Sequence, residues 1–250
     1  GGHNLLISYL LSQDTACQRV GSMGICNLCT QPRYRRVLME CGVLEPLCSL
    51  ARSEDVEMEI QRYAVLAVAN LASAVENHPI FIEEGMLALL ISLSTANDAE
   101  VRQYAAYAVV KIAQNAEVRK VVTEEGGLEP VLYLARTDEE EIQRAVLPAL
   151  CSLSFADANK VAICRNGGLE PIIRSIRDGN TAIARLACTA LANLAEMAEN
   201  FDRIADANAI PNLIAILSDP VEELRREGAR ALGNLAANIV RSSYLAPEQL

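Results

Sequence analysis

The segment 116–157 shows the hydrophobic period of a helix in three successive stretches. In the first, Val118 and Val122 share one face, which predicts a short amphipathic helix that ends at Gly126-Gly127. The second begins at Leu128-Glu129-Pro130, and proline favours the first turn of a helix because its missing N–H would have no partner there. Two helices joined by a tight glycine turn therefore open this segment.

The third stretch is longer, from about Glu139 to Phe155, and is apolar nearly all round. A helix with this pattern must be buried on most of its sides. The short, medium and long helices thus form one unit that cannot cover its own apolar faces. Stacking copies of such a unit would cover them.

The chain repeats this unit with a nearly constant period. A polar residue followed by Leu or Ile recurs in equivalent third helices, and the spacings are 43 residues and then 41 four times. We number the first residue of this pair position 0 in each repeat. These residues are Asn27, Asn70, Lys111, Ser152, Asn193 and Asn234. A second mark keeps step at Gly42, Gly85, Gly127, Gly168 and, in the fifth slot, Ala209. Self-similarity at about 40–47 residues is typical of a helical solenoid.

Two motifs carry a resemblance to a known family. The turn Gly-Val-Leu-Glu-Pro stands at 42–46, and the runs Ala-Leu-Ala-Asn-Leu-Ala and Ala-Leu-Gly-Asn-Leu-Ala stand at 190–195 and 231–236. In these motifs, and over residues 4–238, the chain resembles the armadillo repeat family. The resemblance implies an all-α, right-handed superhelical solenoid of three-helix armadillo repeats.

We expect residues 1–250 to form a single armadillo solenoid. The resemblance implies a partial repeat at 4–30, full repeats at 31–75, 76–115, 116–157, 158–198 and 199–238, and a polar tail at 239–250. The pattern starts within a repeat, and neither end repeat is obviously capped by a polar face. We therefore expect a fragment of a larger protein. The apolar side of Leu5, Leu6, Tyr9 and Leu10 would then be open to self-association.

Only a narrow strip of each third helix would face the concave surface of the stack. At 100° per residue, positions −7, −4 and 0 lie within about 60° of one another. An asparagine amide both donates and accepts, so asparagines at position 0 could bind the backbone of an extended peptide. Armadillo proteins that this chain resembles use that asparagine to hold peptides. The candidate groove residues are Asn27, Tyr63, Asn70, Tyr104, Tyr107, Lys111, Ser152, Asn193, Arg230 and Asn234.

Alternatives to one continuous peptide groove stay open. Each asparagine could instead bond only the backbone of the next repeat. Lys111 and Ser152 interrupt the asparagine series, and Pro148 predicts a kink in its helix, so two half-sites are an option. Nuclear-import adaptors of this family carry a tryptophan at position −4. This chain has no tryptophan, so it resembles vacuolar or β-catenin-like scaffolds more closely and a basic import signal is not the expected ligand.

Arginine recurs at position −8 on the flank of the strip. The residues of this column are Arg19, Arg62, Arg144, Arg185 and Arg226. One interpretation is a basic rail for acidic ligands. The other, which we favour, is a structural ladder in which each arginine pairs with acids such as Glu59, Glu141 or Glu223 near the start of its own helix.

Composition disfavours several other functions. A net charge of −10 argues against nucleic acid as a partner, because phosphate contacts need a basic surface. The longest nearly apolar run, Tyr63 to Val75, is too short for membrane insertion. All eight cysteines fall within the helical patterns rather than in loops, and the sequence contains no Asn-x-Ser/Thr glycosylation sequon. Both facts favour a reducing, intracellular, cytoplasmic location.

No residue pattern suggests catalysis, a metal or a cofactor. Cys26 and Cys29 lack a neighbouring histidine, and His3 and His78 are isolated. We therefore expect a non-enzymatic scaffold that binds a peptide or a partner protein. The alternatives are a structural segment of a larger assembly, whose groove is unused, and a regulatory domain attached to a catalytic domain elsewhere.

Overall fold

The computed structural model describes residues 2–137, 140–178 and 180–244. Within these residues the chain forms seventeen α-helices and two 3₁₀ turns, and no strand is present. The helices belong to two compact units, Gly1–Pro130 (unit 1) and Val131–Leu250 (unit 2), and the boundary falls within one helix. The predicted all-α architecture of helical repeats is confirmed.

Unit 1 begins with a pair of helices and continues in the order short, medium, long. Its helices are α1 (Gly2–Leu10), α2 (Thr15–Cys29), α3 (Pro32–Glu40), α4 (Leu44–Arg52), α5 (Met58–Leu71), α6 (His78–Glu83), α7 (Met86–Leu93), α8 (Ala99–Ala113) and α9 (Arg119–Glu124). The long helices form a row, because α2 packs against α5 and α5 packs against α8. Small buried residues such as Ala64 and Ala105 allow this close approach.

Unit 2 repeats the same order. The helices are α10 (Leu128–Ala135), which crosses the boundary, α11 (Glu140–Leu153), α12 (Asp157–Arg165), α13 (Leu169–Asp178), α14 (Thr181–Leu194), α15 (Phe201–Asp206), α16 (Ala209–Ile216) and α17 (Glu222–Tyr244). Here α14 packs against both α11 and α17. The helix α11 continues as one element through Pro148, and the kink at this residue stays a prediction.

Two sequence expectations need correction at the ends of the chain. The helix α17 continues to Tyr244, so the predicted tail at 239 begins too early, while residues 245–250 lie outside the described part. At the other end, Leu10 is only 2% exposed, although we expected an open side there. It is buried because α1 packs tightly on α2, where a Cβ on Gly21 would lie 2.9 Å from the Cβ of Tyr9.

Left-handed residues separate the first and second helices of the repeats. They are Gly42, Gly85, Gly126, Gly167 and Asn208, with φ between 58° and 94°. The repeat mark at Gly127, Gly168 and Ala209 was therefore placed one residue too late. In each Gly-Gly pair the first residue takes the strained conformation. The second must be glycine because a side chain would not fit there: a Cβ on Gly127 would lie 2.5 Å from Cγ1 of Val122.

Buried asparagines close the junction between each of three long helices and the next repeat. Their side chains donate to the carbonyl six residues earlier, in the bonds Asn77–Leu71 (2.9 Å), Asn159–Leu153 (3.1 Å) and Asn200–Leu194 (2.9 Å). The last carbonyls of a helix have no partner within it, so these bonds remove a cost of burial. Asn200 also donates to the carbonyl of Lys160 at 3.2 Å, which ties two repeats together.

A second polar column, at position −9, closes the end of the second helices in the same way. The side chains donate to backbone carbonyls in the pairs Gln18–Ser12, Gln61–Ala51, Arg102–Ala96, Gln143–Ala135 and Arg225–Asp219. These residues belong to the long helix, so each bond holds a long helix to the last turn of the second helix or to the loop that follows it. The sequence analysis singled out neither column, although both follow the repeat period.

We expect the buried asparagine junction to contribute measurably to stability. Asn200→Ala should lower the free energy of unfolding by about 1–3 kcal/mol, because the carbonyls of Leu194 and Lys160 would lose their donor in a buried site. Urea denaturation followed by circular dichroism measures this change. The control is Asn212→Ala, which removes an exposed bond to the carbonyl of Asn208. It should lower the free energy of unfolding by less than about 0.5 kcal/mol. Equal losses in the two variants would contradict this role of the junction.

Candidate peptide-binding surface

The strip on the long helices of unit 1 carries two asparagine amides that are not used within the chain. Asn27 on α2 is exposed and Asn70 on α5 is half-buried. Within the described residues, neither side chain makes a hydrogen bond. Each amide therefore has a donor and an acceptor to offer to a ligand.

Aromatic and apolar side chains lie on the same strip. Tyr63 and Leu66 of α5 and Tyr104 of α8 line a cleft of about 280 Å³, which Glu59, Arg62 and Glu100 complete. Burial, followed by the nearby Glu100 carboxylate, raises the pKa of Tyr104, so its hydroxyl is neutral and can donate a hydrogen bond. The cleft thus combines apolar walls with a polar rim.

The strip extends on both sides of this cleft. On α2, Val20 and Met23 are exposed and add an apolar surface beside Asn27. On α8, the Nζ of Lys111 lies 4.7 Å from the ring centroid of Tyr107, within the range of a cation–π contact. The lysine that interrupts the asparagine series is thus held against the surface of its own helix.

In unit 2 the predicted strip residues are buried or bonded within the fold instead. Asn193 is 3% exposed; its Nδ2 donates to Oγ of Ser154 at 3.0 Å and its Oδ1 accepts from Nη1 of Arg230 at 2.9 Å. Asn234 donates to the carbonyl of Ala192 at 2.9 Å. Ser152 is buried. For these asparagines the alternative of a bond to the neighbouring repeat describes the contacts.

Arg230 is the centre of an ionic network in unit 2. Its guanidinium lies 2.9 Å from Glu227 and 3.6 Å from Glu196. Glu196 also accepts from the buried Lys160, whose ammonium donates to Asp157 at 2.6 Å. Burial alone would lower the pKa of Lys160, but its bonds to the two carboxylates outweigh burial and leave that pKa raised. A buried lysine with two carboxylates is a structural ion cluster, and Arg230 is already engaged.

Two comparisons with known proteins support the predicted resemblance. The profile of the Armadillo/beta-catenin-like repeat matches residues 31–73 and 156–196, one segment in each unit. A designed armadillo repeat protein has 26% identity and a TM-score of 0.69 over 93% of this chain and 99% of its own. The prediction of armadillo repeats is confirmed for these two segments, and the fold is similar to that of designed armadillo repeat proteins.

Other solved structures extend this comparison. A designed armadillo repeat protein in complex with the peptide (KR)4 has 25% identity and a TM-score of 0.67, and the match covers 94% of this chain and 100% of that one. A crystal structure of an engineered protein has 27% identity and a TM-score of 0.68, covering 95% and 98%. The comparison with curated proteins gave no match.

The arginine column forms an ion-pair ladder in unit 1. Arg19 of α2 pairs with Glu57 and, at 3.1 Å, with Glu59 of the next repeat. Arg62 of α5 lies 2.6 Å from Asp98 and 3.1 Å from Glu100. The expected structural ladder is thus present for these two arginines, but the expected partner in the same helix is wrong. Position −8 lies next to the start of the following long helix, which brings its carboxylates closer.

The other arginines of the column differ in their surroundings. Arg144, Arg185 and Arg226 are exposed. Arg226 has a long ion pair, 3.7 Å, with its neighbour Glu227. For these three residues the basic rail for acidic ligands stays a prediction.

Neither a metal site nor a simple membrane span is present among the described residues. They contain no cluster of three or more metal-ligating side chains, and burial raises the pKa of Cys26 to about 11 and of Cys29 to about 12. By length and apolar content no described helix could cross a bilayer alone, whereas Met58–Leu71 and Val75–Glu83, bent by 107°, pass that test as a pair.

The ladder predicts a measurable pKa for Asp98. The bond from Arg62, with help from the backbone N–H of Val101, lowers the pKa of Asp98 to about 2. Because the folded pKa is below the unfolded value, the pair stabilises the fold above about pH 4, and this contribution is lost as the pH falls toward 2. Arg62→Ala should raise the Asp98 pKa and flatten the loss of stability in this acid range.

Carboxyl titration by NMR and acid unfolding measure the two effects. The control is Arg36→Ala, which removes an exposed pair with Glu40 within one helix and should leave the Asp98 pKa where it is. An unchanged Asp98 pKa in Arg62→Ala would show that the ladder does not hold this carboxylate.

Proposed function

We propose that this armadillo chain is a non-enzymatic protein-interaction scaffold that binds an extended peptide along α2, α5 and α8. The supporting observation is the pair of uncommitted amides, Asn27 and Asn70, on one strip with an aromatic cleft. The solved relative with a bound peptide supports the kind of ligand. The proposal covers unit 1 alone.

The amides would hold the peptide backbone. Each accepts one N–H and donates to one C=O, as a neighbouring β-strand would. In an extended peptide, successive side chains point to opposite sides, so alternate side chains would face the strip. The binding energy would thus be divided between backbone bonds at the asparagines and side-chain burial between them.

The cleft favours an apolar or aromatic peptide side chain. Its walls are Tyr63, Leu66 and Tyr104, whereas the rim carboxylates Glu59 and Glu100 are already paired with arginines. A cationic side chain would have to compete with Arg19 and Arg62 for them. Val20 and Met23 offer a second apolar contact next to Asn27.

Unit 2 supports a structural role for its own asparagines. Both polar ends of the Asn193 side chain are bonded within the unit, and a peptide could use them only after breaking those bonds. This favours the alternative of an unused groove for unit 2. Attachment to a catalytic domain remains the other alternative. All eight cysteines are free thiols, which supports the proposal of an intracellular location.

The test compares asparagines from the two units. Peptides selected from a random displayed library on the intact chain are titrated by calorimetry. Asn70→Ala and Asn27→Ala should each weaken binding by about 1–3 kcal/mol, because a buried backbone group of the peptide loses its partner. The melting temperature should stay nearly constant, because neither side chain bonds to the fold.

Asn193→Ala is the matched control. It should lower the melting temperature, since Ser154 and Arg230 lose a buried partner, and leave the affinity for the selected peptides unchanged. Peptides that bind the Asn27 and Asn70 variants as tightly as the wild type would overturn the proposal.

A further inference from the structure

The ion-pair ladder of unit 1 follows one rule of register. An arginine at position −8 reaches the residue that caps the N-terminus of the next long helix, at position −13. Arg19 reaches Glu57, which stands at the N-cap position of α5 but makes no side-chain capping bond, and Arg62 reaches Asp98, whose side chain caps α8. Oδ1 of Asp98 accepts from the backbone N–H of Val101 and from Nε of Arg62, and Oδ2 accepts from Nη2 of the same arginine. Both contacts of this ladder thus join an arginine at position −8 to a carboxylate at the N-cap position of the next long helix.

The last long helix presents the arginine half of this contact to solvent. Arg226 stands at position −8 of α17, and its side chain is 73% exposed. The apolar residues beside it are open too. Leu217, directly after α16, is 41% exposed, whereas its equivalent in the preceding repeat, Ile176, is 6% exposed. On α17, a Cβ at Gly233 would meet no atom within 4 Å, whereas the equivalent Ala192 is fully buried.

The first long helix presents the carboxylate half. Asp14 stands at position −13 and caps α2, with Oδ1 accepting from the backbone N–H of Ala16 at 2.7 Å and of Cys17 at 3.2 Å. It is exposed, and it repeats the capping geometry of Asp98.

Apolar surface accompanies this carboxylate. Leu5 of α1 and Leu11, in the turn between α1 and α2, are exposed. A cleft of about 470 Å³ lies beside Leu6, Leu28 and Tyr34. Leu28 is only partly buried, whereas its equivalent in the next repeat, Leu71, is fully buried.

We propose that two copies of this chain associate head to tail, with the outer face of α16 and α17 of one copy packed on α1 and α2 of the next. Arg226 of the first copy pairs with Asp14 of the second, in the register that Arg62 and Asp98 use within unit 1. The occupant is a second copy because both halves of this charge pair, at the required positions, are present on the same chain. Such a contact is heterologous, so it can add further copies and is not limited to dimers.

Charge reversal tests this contact directly. Sedimentation velocity over a concentration series should show self-association of the wild-type chain that weakens as salt is raised. Arg226→Glu and Asp14→Arg should each reduce the association constant by about tenfold or more, because like charges would then face each other. The double variant should recover most of the loss. So should an equimolar mixture of the two single variants, because every contact between the two different variants joins opposite charges.

The control is Arg36→Glu, the same charge change at an exposed residue of α3 that lies outside the proposed contact. It should leave association unchanged, and circular dichroism should show all variants folded. A wild-type chain that stays monomeric at every concentration would overturn the proposal. So would a mixture of the single variants that associates no better than either alone, since a symmetric contact that joins like faces would give that result.

Discussion

Each repeat of this protein depends on burying a long helix that is apolar on nearly every side. The long helix α5 has buried residues facing both of its neighbours, and Ala64, Val65 and Val68 are all at most 1% exposed. Such a helix is unstable in water unless another long helix covers each side. The row of long helices within a unit follows from this requirement, and it leaves one narrow strip of each helix for other contacts.

Close packing of long helices creates a second requirement, which concerns their polar ends. The carbonyls at the end of a helix lack partners, and burial would leave them unpaired. Asn77, Asn159 and Asn200 supply donors at the end of the long helices, and glutamine or arginine at position −9 supplies them at the end of the second helices. These bonds also join helices within a repeat or between repeats. They therefore fix the arrangement of the helices as well as supplying the missing partners of the carbonyls. In unit 1 the ion pairs at position −8 also join neighbouring long helices, through side chains that are partly exposed to solvent.

The period and the helix types could be predicted from the sequence because they depend on apolar spacing and on turn residues. Gly42 and Gly85 mark the turns directly, whereas the Gly-Gly pairs shifted the mark by one residue, since spacing alone does not say which glycine is left-handed. The partners of polar side chains were harder to predict. Arg62 was expected to pair within its own helix, but the carboxylates of the next helix lie closer. A single-chain pattern gives the position of a residue along its own helix, and the rotation of the neighbouring helix decides which groups meet.

The different fates of the position 0 asparagines follow from that neighbour. Asn193 is followed in the next repeat by an arginine at position −4, and Arg230 takes its oxygen. The same position of the next repeat holds Leu66 after Asn27 and Tyr107 after Asn70. A leucine has no group to bond an amide, and Tyr107 faces Lys111 instead. The residue at −4 of the following repeat thus accounts for the bonded oxygen of Asn193, whereas the bond from Asn234 goes to Ala192 in the preceding repeat. The asparagine motif alone identifies the position, and the residue at −4 of the following repeat indicates whether that position can hold a ligand.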